Sequence, residues 1–113
     1  MQTGNLYQNI PSALPREIFA SLVVAKDVKI ERIVSRGHHS DPNFWFDQDE
    51  DEWVLVVAGE AQLKFEDGGR ILHLTPGMYV NIAAHEKHRV EWTSQQQDTI
   101  WLAVFYSAIA GQS

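Results

Sequence analysis

The chain contains no cysteine. Disulfides, thiolate metal sites and a cysteine nucleophile are therefore excluded, and the composition fits a reducing compartment. Long apolar runs are missing too. The longest lie around Val54–Ala58 and Trp101–Tyr106 and fall far short of a bilayer span. Positive charge is scarce, with 9 basic residues against 15 acidic ones and a formal charge of −6. The one dense charge run, Asp47 to Glu52, is acidic, so no basic stripe is available for a phosphate backbone. The first residues, Met1 to Tyr7, carry neither a basic patch nor an apolar stretch and do not read as a signal peptide. The expectation is a cytoplasmic protein without nucleic-acid or membrane partners. No glycine-rich loop follows a strand into a helix, and no Ser-His-Asp order emerges from spacing, so phosphate cradling and nucleophilic catalysis are not signalled.

What is present is a folded domain. The chain has 113 residues, 44 % hydrophobic, with four Trp, five Phe and three Tyr, enough for one core and too few for two. Residues 1–17 are polar, carry Pro11 and Pro15, and read as a lead-in with a helical turn opening at Ser12 or Pro15. The domain proper spans 18–113. Short β-rich segments follow at 18–24, 28–35, 52–57, 61–66, 70–74, 78–82, 87–92 and 99–106, separated by turn residues such as Ala58-Gly59-Glu60, Asp67-Gly68-Gly69 and Thr75-Pro76-Gly77. About eight or nine strands spaced near ten residues, with no amphipathic helix, predict an all-β sandwich or barrel. Pattern alone does not choose between them.

Two segments carry a signature. Glu52-Trp53-Val54-Leu55-Val56-Val57-Ala58-Gly59 matches the second half of the first cupin motif, in which a Glu precedes a Gly by seven positions. Pro76-Gly77 followed by His88 resembles the second motif, with Ala83 where that family usually has Pro and His85 where it has Gly. Together these stretches resemble the small single-domain cupins. At the place of the first motif's paired histidines this chain has Phe46-Asp47-Gln48, and Gly37 lies too far upstream. The run Trp45-Phe46-Asp47-Gln48 through Glu52-Trp53 is similar to a branch of small cupins without the histidine pair. The resemblance implies a double-stranded β-helix, or jelly-roll, barrel that forms a homodimer, with its ligand inside.

Strand parity then gathers the candidate groups. If Glu52 faces inward, so do Val54 and Val56; His88 inward takes Val90 and Trp92 with it. Glu52, His88 and Gln48 would meet in an apolar pocket, lined also by Trp45 and Phe46, that suits a small-molecule ligand. One carboxylate, one imidazole and one amide oxygen form a thin set for a divalent Mn, Fe, Ni or Zn ion, so Asp47 or His85 is a further candidate ligand. The alternative is a hydrogen-bonded Glu52–His88 pair without metal. His38 and His39, beside Gly37 and Pro42, read as an exposed loop or as a lid. Function accordingly stays open among three classes. These are a metal-dependent enzyme of oxygenase, isomerase or lyase type with Glu52 and His88 as catalytic residues, a metal-free binder or sensor, and a structural dimerisation module.

Overall fold

Segments whose apolar residues recur at every second position bury one face only by packing a sheet against another. The computed structural model describes residues 1–107. The end of the expected domain, 108–113, lies outside the described residues. Among the described residues eight strands form: β1 (Ile18–Val24), β2 (Val28–Ser35), β3 (Asp51–Ala58), β4 (Ala61–Phe65), β5 (Ile71–Leu74), β6 (Tyr79–Ile82), β7 (His88–Thr93) and β8 (Thr99–Tyr106). They build a five-stranded sheet in the order β1-β2-β8-β3-β6 and a three-stranded sheet in the order β5-β4-β7. Every pairing is antiparallel. This is the all-β jelly-roll barrel expected from the sequence, with strand limits close to those read from turn residues.

The core lies between the sheets. Val54 and Val56 of β3, Ala61, Leu63 and Phe65 of β4, and Trp101 and Ala103 of β8 are buried in one cluster with Ile33, Leu74 and Ile82. The alternation on β4 survives intact, since Gln62 and Lys64 stay partly exposed between buried neighbours. The β3–β4 reversal depends on Gly59. Its φ is +85°, and a Cβ there would lie 2.5 Å from the Thr99 backbone. Glycine alone permits that approach. Thr99 completes the turn, its hydroxyl donating to the Glu60 carbonyl at 3.1 Å and accepting the Glu60 N–H at 3.2 Å.

The lead-in forms bends rather than the helical turn expected near Ser12 or Pro15. Its carbonyls are used by arginines of the domain. Arg32 on β2 donates to the Leu6 and Gln8 carbonyls, and Arg36 donates to the Pro11 and Ser12 carbonyls. Leu14 is buried. Residues 6–14 are thus tethered to the domain.

Arg36 also makes a two-point contact with Asp98, at 2.6 and 3.1 Å. Hydrogen bonding to the guanidinium holds the Asp98 carboxyl below its usual range; partial burial opposes this and the guanidinium charge adds to it. A depressed folded-state pKa contributes stability that is present above the unfolded carboxylate pKa, about 3.9, and is lost as pH falls through the folded value. Asp98→Asn should therefore lower the melting temperature at pH 7, and the gap to the unsubstituted protein should narrow progressively as pH falls below the unfolded carboxylate value of about 3.9. Thermal unfolding followed by circular dichroism across that range tests this; a gap independent of pH would refute it.

Candidate functional site

Glu52 and His88 come from different sheets, 36 positions apart in the chain, and meet inside the barrel. Glu52 occupies the start of β3, on the inward face with Val54 and Val56. His88 opens β7 and is 4 % exposed; Glu52 is 8 % exposed. His88 Nε2 lies 3.4 Å from Glu52 Oε1, and Gln48 Nε2 donates to the same oxygen at 3.0 Å. The imidazole orientation is set from behind, because His88 Nδ1 lies 2.8 Å from the Glu86 carbonyl, which can only accept. Nε2 is thereby left facing the cavity. Burial pulls the His88 pKa down, yet the bonds to Glu52 and to the Glu86 carbonyl, with the nearby charges, outweigh it and leave the pKa raised.

Gln48 reaches this point through a long loop laid along the free edge of β7. Phe46 and His88 exchange backbone hydrogen bonds, N–H to O distances of 2.7 and 3.2 Å, forming an isolated bridge. Further along, Ser40 N–H donates to the Val90 carbonyl at 2.9 Å and the Ser40 hydroxyl accepts the Val90 N–H at 3.1 Å. His38 is part of this docking, and His39 beside it is exposed. His38 Nδ1 accepts the Arg36 N–H at 2.8 Å, its carbonyl accepts from Thr93 at 2.6 Å, and neither histidine lines the cavity. The Phe46 ring stacks on the imidazole, centroids 5.5 Å apart, with Phe65 at 6.1 Å on the same ring.

The cavity so enclosed measures about 60 Å³. That is room for a few water-sized groups. Gln48, Glu52, His88, Phe46, Val54 and Val90 all line it. Val56 is buried in the core without reaching the lining. Two expected wall residues lie elsewhere. Trp92 is displaced by a β-bulge: Leu63 pairs with Val90 but Gln62 pairs with Trp92, so Glu91 is an extra residue and the parity of β7 reverses after it. Trp92 consequently faces outward and stacks on His73, while Thr93 turns in. Trp45 lies under the Arg89 guanidinium, 4.5 Å from the ring centre, outside the cavity.

Asp47 and His85 sit at the rim and satisfy each other, Nδ1 to Oδ1 at 2.7 Å, with Asp49 3.3 Å from Nε2. Neither Asp47 nor His85 lines the cavity. His85 has φ +63°, a conformation that favours glycine, which accounts for the glycine usual at this motif position. The strain persists because its backbone N–H donates to the Gln48 carbonyl at 2.9 Å and its ring is tied to Asp47. Among the described residues no three His, Asp or Glu side chains converge as a metal cluster. An ion would rest on Glu52, His88 and the amide of Gln48.

Lining residues absent from the sequence reading include Glu17, Phe19, Ile33, Leu63, Ile82 and Phe105. Phe105 shares the face of Trp101 on β8 and could have been found by parity. Glu17 carried no local signal, since it lies just before β1 and enters the cavity only through the pairing of β1 with β2.

The sequence matches the cupin domain over residues 32–105. The chain belongs to the cupin family. A solved structure of a candidate mannose-6-phosphate isomerase from Ralstonia eutropha JMP134 is 42 % identical and superposes with a TM-score of 0.91, covering 96 % of this cupin and 100 % of that chain. A cupin superfamily protein of Desulfitobacterium hafniense DCB-2 shares the fold at 17 % identity and TM-score 0.71, over 88 % of this chain and 84 % of that one. So does the cupin domain of an XRE family transcriptional regulator from Enterobacter cloacae, at 18 % identity and TM-score 0.67, over 82 % and 98 %. No curated protein matches the sequence.

The opposite placement of two tryptophans predicts unequal costs. Trp101→Ala should destabilise this cupin by about 3–5 kcal/mol, whereas Trp92→Ala should cost less than about 1 kcal/mol. Urea unfolding of both variants measures the difference, and equal costs would contradict the bulge.

Proposed function

We propose that this cupin binds a small polar molecule in the barrel cavity and acts on it at Glu52 and His88 in isomerase-type chemistry, with a divalent transition-metal ion (Mn, Fe, Ni or Zn) held by Gln48, Glu52 and His88. The observation that carries this reading is the convergence of Nε2 and Oε1, 3.4 Å apart, within an apolar wall. Two donors bound to one tetrahedral ion at about 2.1 Å each lie about 3 to 3.5 Å apart. His88 presents Nε2 because Nδ1 is bonded to a backbone carbonyl, the arrangement typical of metal-binding imidazoles. Gln48 fits by turning its amide so that the oxygen replaces the nitrogen beside Glu52. The donor set therefore suits an ion with open positions. Such an ion, when bound, would polarise a ligand oxygen. The likeness to a candidate sugar-phosphate isomerase supports the reaction class.

The residues have work of their own. Phe46 and Phe65 flank the imidazole and keep water from it. Gln48 fixes the Glu52 carboxylate in its inward rotamer. A second, metal-free reading is favoured by the meeting of Gln48 N–H and His88 Nε2 on one Glu52 oxygen. There the pair holds one proton between Oε1 and Nε2 and passes it to or from a ligand oxygen.

Elemental analysis of untagged protein decides between them. A stoichiometric metal that disappears in both Glu52→Gln and His88→Ala is the expected outcome. A site still empty after soaking in Mn, Fe, Ni and Zn would remove the ion from the proposal and leave the proton pair.

Self-association belongs to the same proposal. β1 forms an edge of the five-stranded sheet and exposes Phe19, Leu22, Val23 and Val24. An apolar, unpaired edge strand is a template for a second copy. Size-exclusion chromatography with light scattering should return twice the 12.9 kDa chain mass, and Val23→Lys should shift it toward monomer. A monomer at all concentrations would remove the homodimer.

A further inference from the structure

Glu17 was the last residue of the lead-in by sequence, yet it stands in the wall of the cavity. Its place there is built, not incidental. Phe19 pairs with Ile33 in the β1–β2 register, which puts Glu17 beside Ser35 at the end of the inner face. The Ser35 hydroxyl donates to Glu17 Oε2, and the Ser35 oxygen accepts the Trp101 indole N–H at 3.1 Å. Ser35 and Trp101 are both buried, at 0 % and 3 % exposure. A buried hydroxyl, itself held by a buried indole, thus holds one carboxylate oxygen. Among the described residues the other oxygen accepts no hydrogen bond from the protein.

This group lies away from the Glu52–His88 pair. Ser35 aligns with Thr99 on β8, whereas Glu52 aligns with Phe105, six residues further along the same strand. The cavity has two polar ends joined by an apolar wall. Its lining includes two carboxylates, one imidazole and one amide, and neither lysine nor arginine. An anionic group brought to the Glu17 end would meet a carboxylate of like charge, with no lysine or arginine among the lining residues to offset it. A donor group would meet an acceptor already fixed in place.

We infer that Glu17 is a second ligand-binding group of this cavity, accepting a hydrogen bond from a hydroxyl or ammonium group of the ligand and turning phosphate and carboxylate groups away. The inference rests on the proposal that the cavity takes a small polar ligand, and it names the chemistry of the ligand's far end. Glu17 is a specificity residue here and takes no part in the reaction.

The test uses three molecules with one carbon skeleton: isobutanol, isobutylammonium and isobutyrate. Each is titrated into isotopically labelled, EDTA-treated protein at pH 7 while the assigned indole resonance of Trp101 and the imidazole resonances of His88 are followed. The alcohol and the ammonium should shift Trp101, with isobutyrate binding at least about ten-fold more weakly. Glu17→Gln should narrow that preference to within about three-fold, because the amide accepts a hydrogen bond without repelling an anion. Ser35→Ala keeps the carboxylate and should keep the preference. A merely structural Glu17 would leave the ranking of the three unchanged in Glu17→Gln, and that result would overturn the inference. Equal binding of isobutyrate, or no shift of Trp101 by any of the three, would also overturn it, and the unsubstituted protein supplies both answers even if Glu17→Gln fails to fold. Shifts confined to His88 would sink the role of Glu17 and leave the Glu52–His88 reading standing. Shifts at Trp101 with none at His88 would support Glu17 and count against that reading.

Discussion

A carboxylate and an imidazole taken out of water each lose several kcal/mol of solvation unless they find partners. Glu52 and His88 find each other across the gap between the two sheets. That requirement ties the geometry of the barrel together. β3 must hold Glu52 inward at its first turn of register, β7 must begin at the same level, and the sheets must stay close enough for the two heads to meet. Gln48 adds a second donor to the same Glu52 oxygen, and the Glu86 carbonyl takes the other imidazole nitrogen. With either side chain turned outward, the other would be left buried without its partner.

The long loop before β3 serves this pair more than it serves the barrel. It lies along β7, covers an edge that would otherwise be free, and delivers Phe46 to the imidazole face and Gln48 to the carboxylate. Where many cupins place paired histidines, this chain places an aromatic ring and an amide. The substitution trades strong ligands for packing. The rim is held by a different device, a histidine in a glycine-like conformation roped to Asp47. Strain at His85 and order in the acidic loop are therefore one feature.

The far end of the cavity follows the opposite logic. Glu17 is held by a single hydroxyl, itself held by a buried indole, and its other oxygen accepts no hydrogen bond among the described residues. A carboxylate so placed gains more from a ligand that brings a donor than from the protein alone. Both ends of the cavity thus carry a carboxylate, and they differ in what surrounds it: an imidazole and an amide at one, a hydroxyl at the other.

Much of this was legible in the chain. Turn residues and period-two alternation located the strands, because a half-buried sheet admits few other patterns. The spacings Glu52 to Gly59 and Gly77 to His88 indicated which two side chains would share the interior. Parity carried Val54 and Val90 to the right face and failed at Trp92, since a bulge costs one unremarkable residue, Glu91, and leaves no mark in composition. Trp45 failed for a related reason, as an aromatic ring serves an arginine as readily as a cavity. Glu17 was beyond reach altogether. Local sequence by itself determined where strands begin, which way most of their residues face, and the family motif, because these depend on neighbours two to ten positions away. Which distant residues share one cavity was decided by tertiary structure alone, because β1 meets β2, and β2 meets β8, only once the sheets have formed.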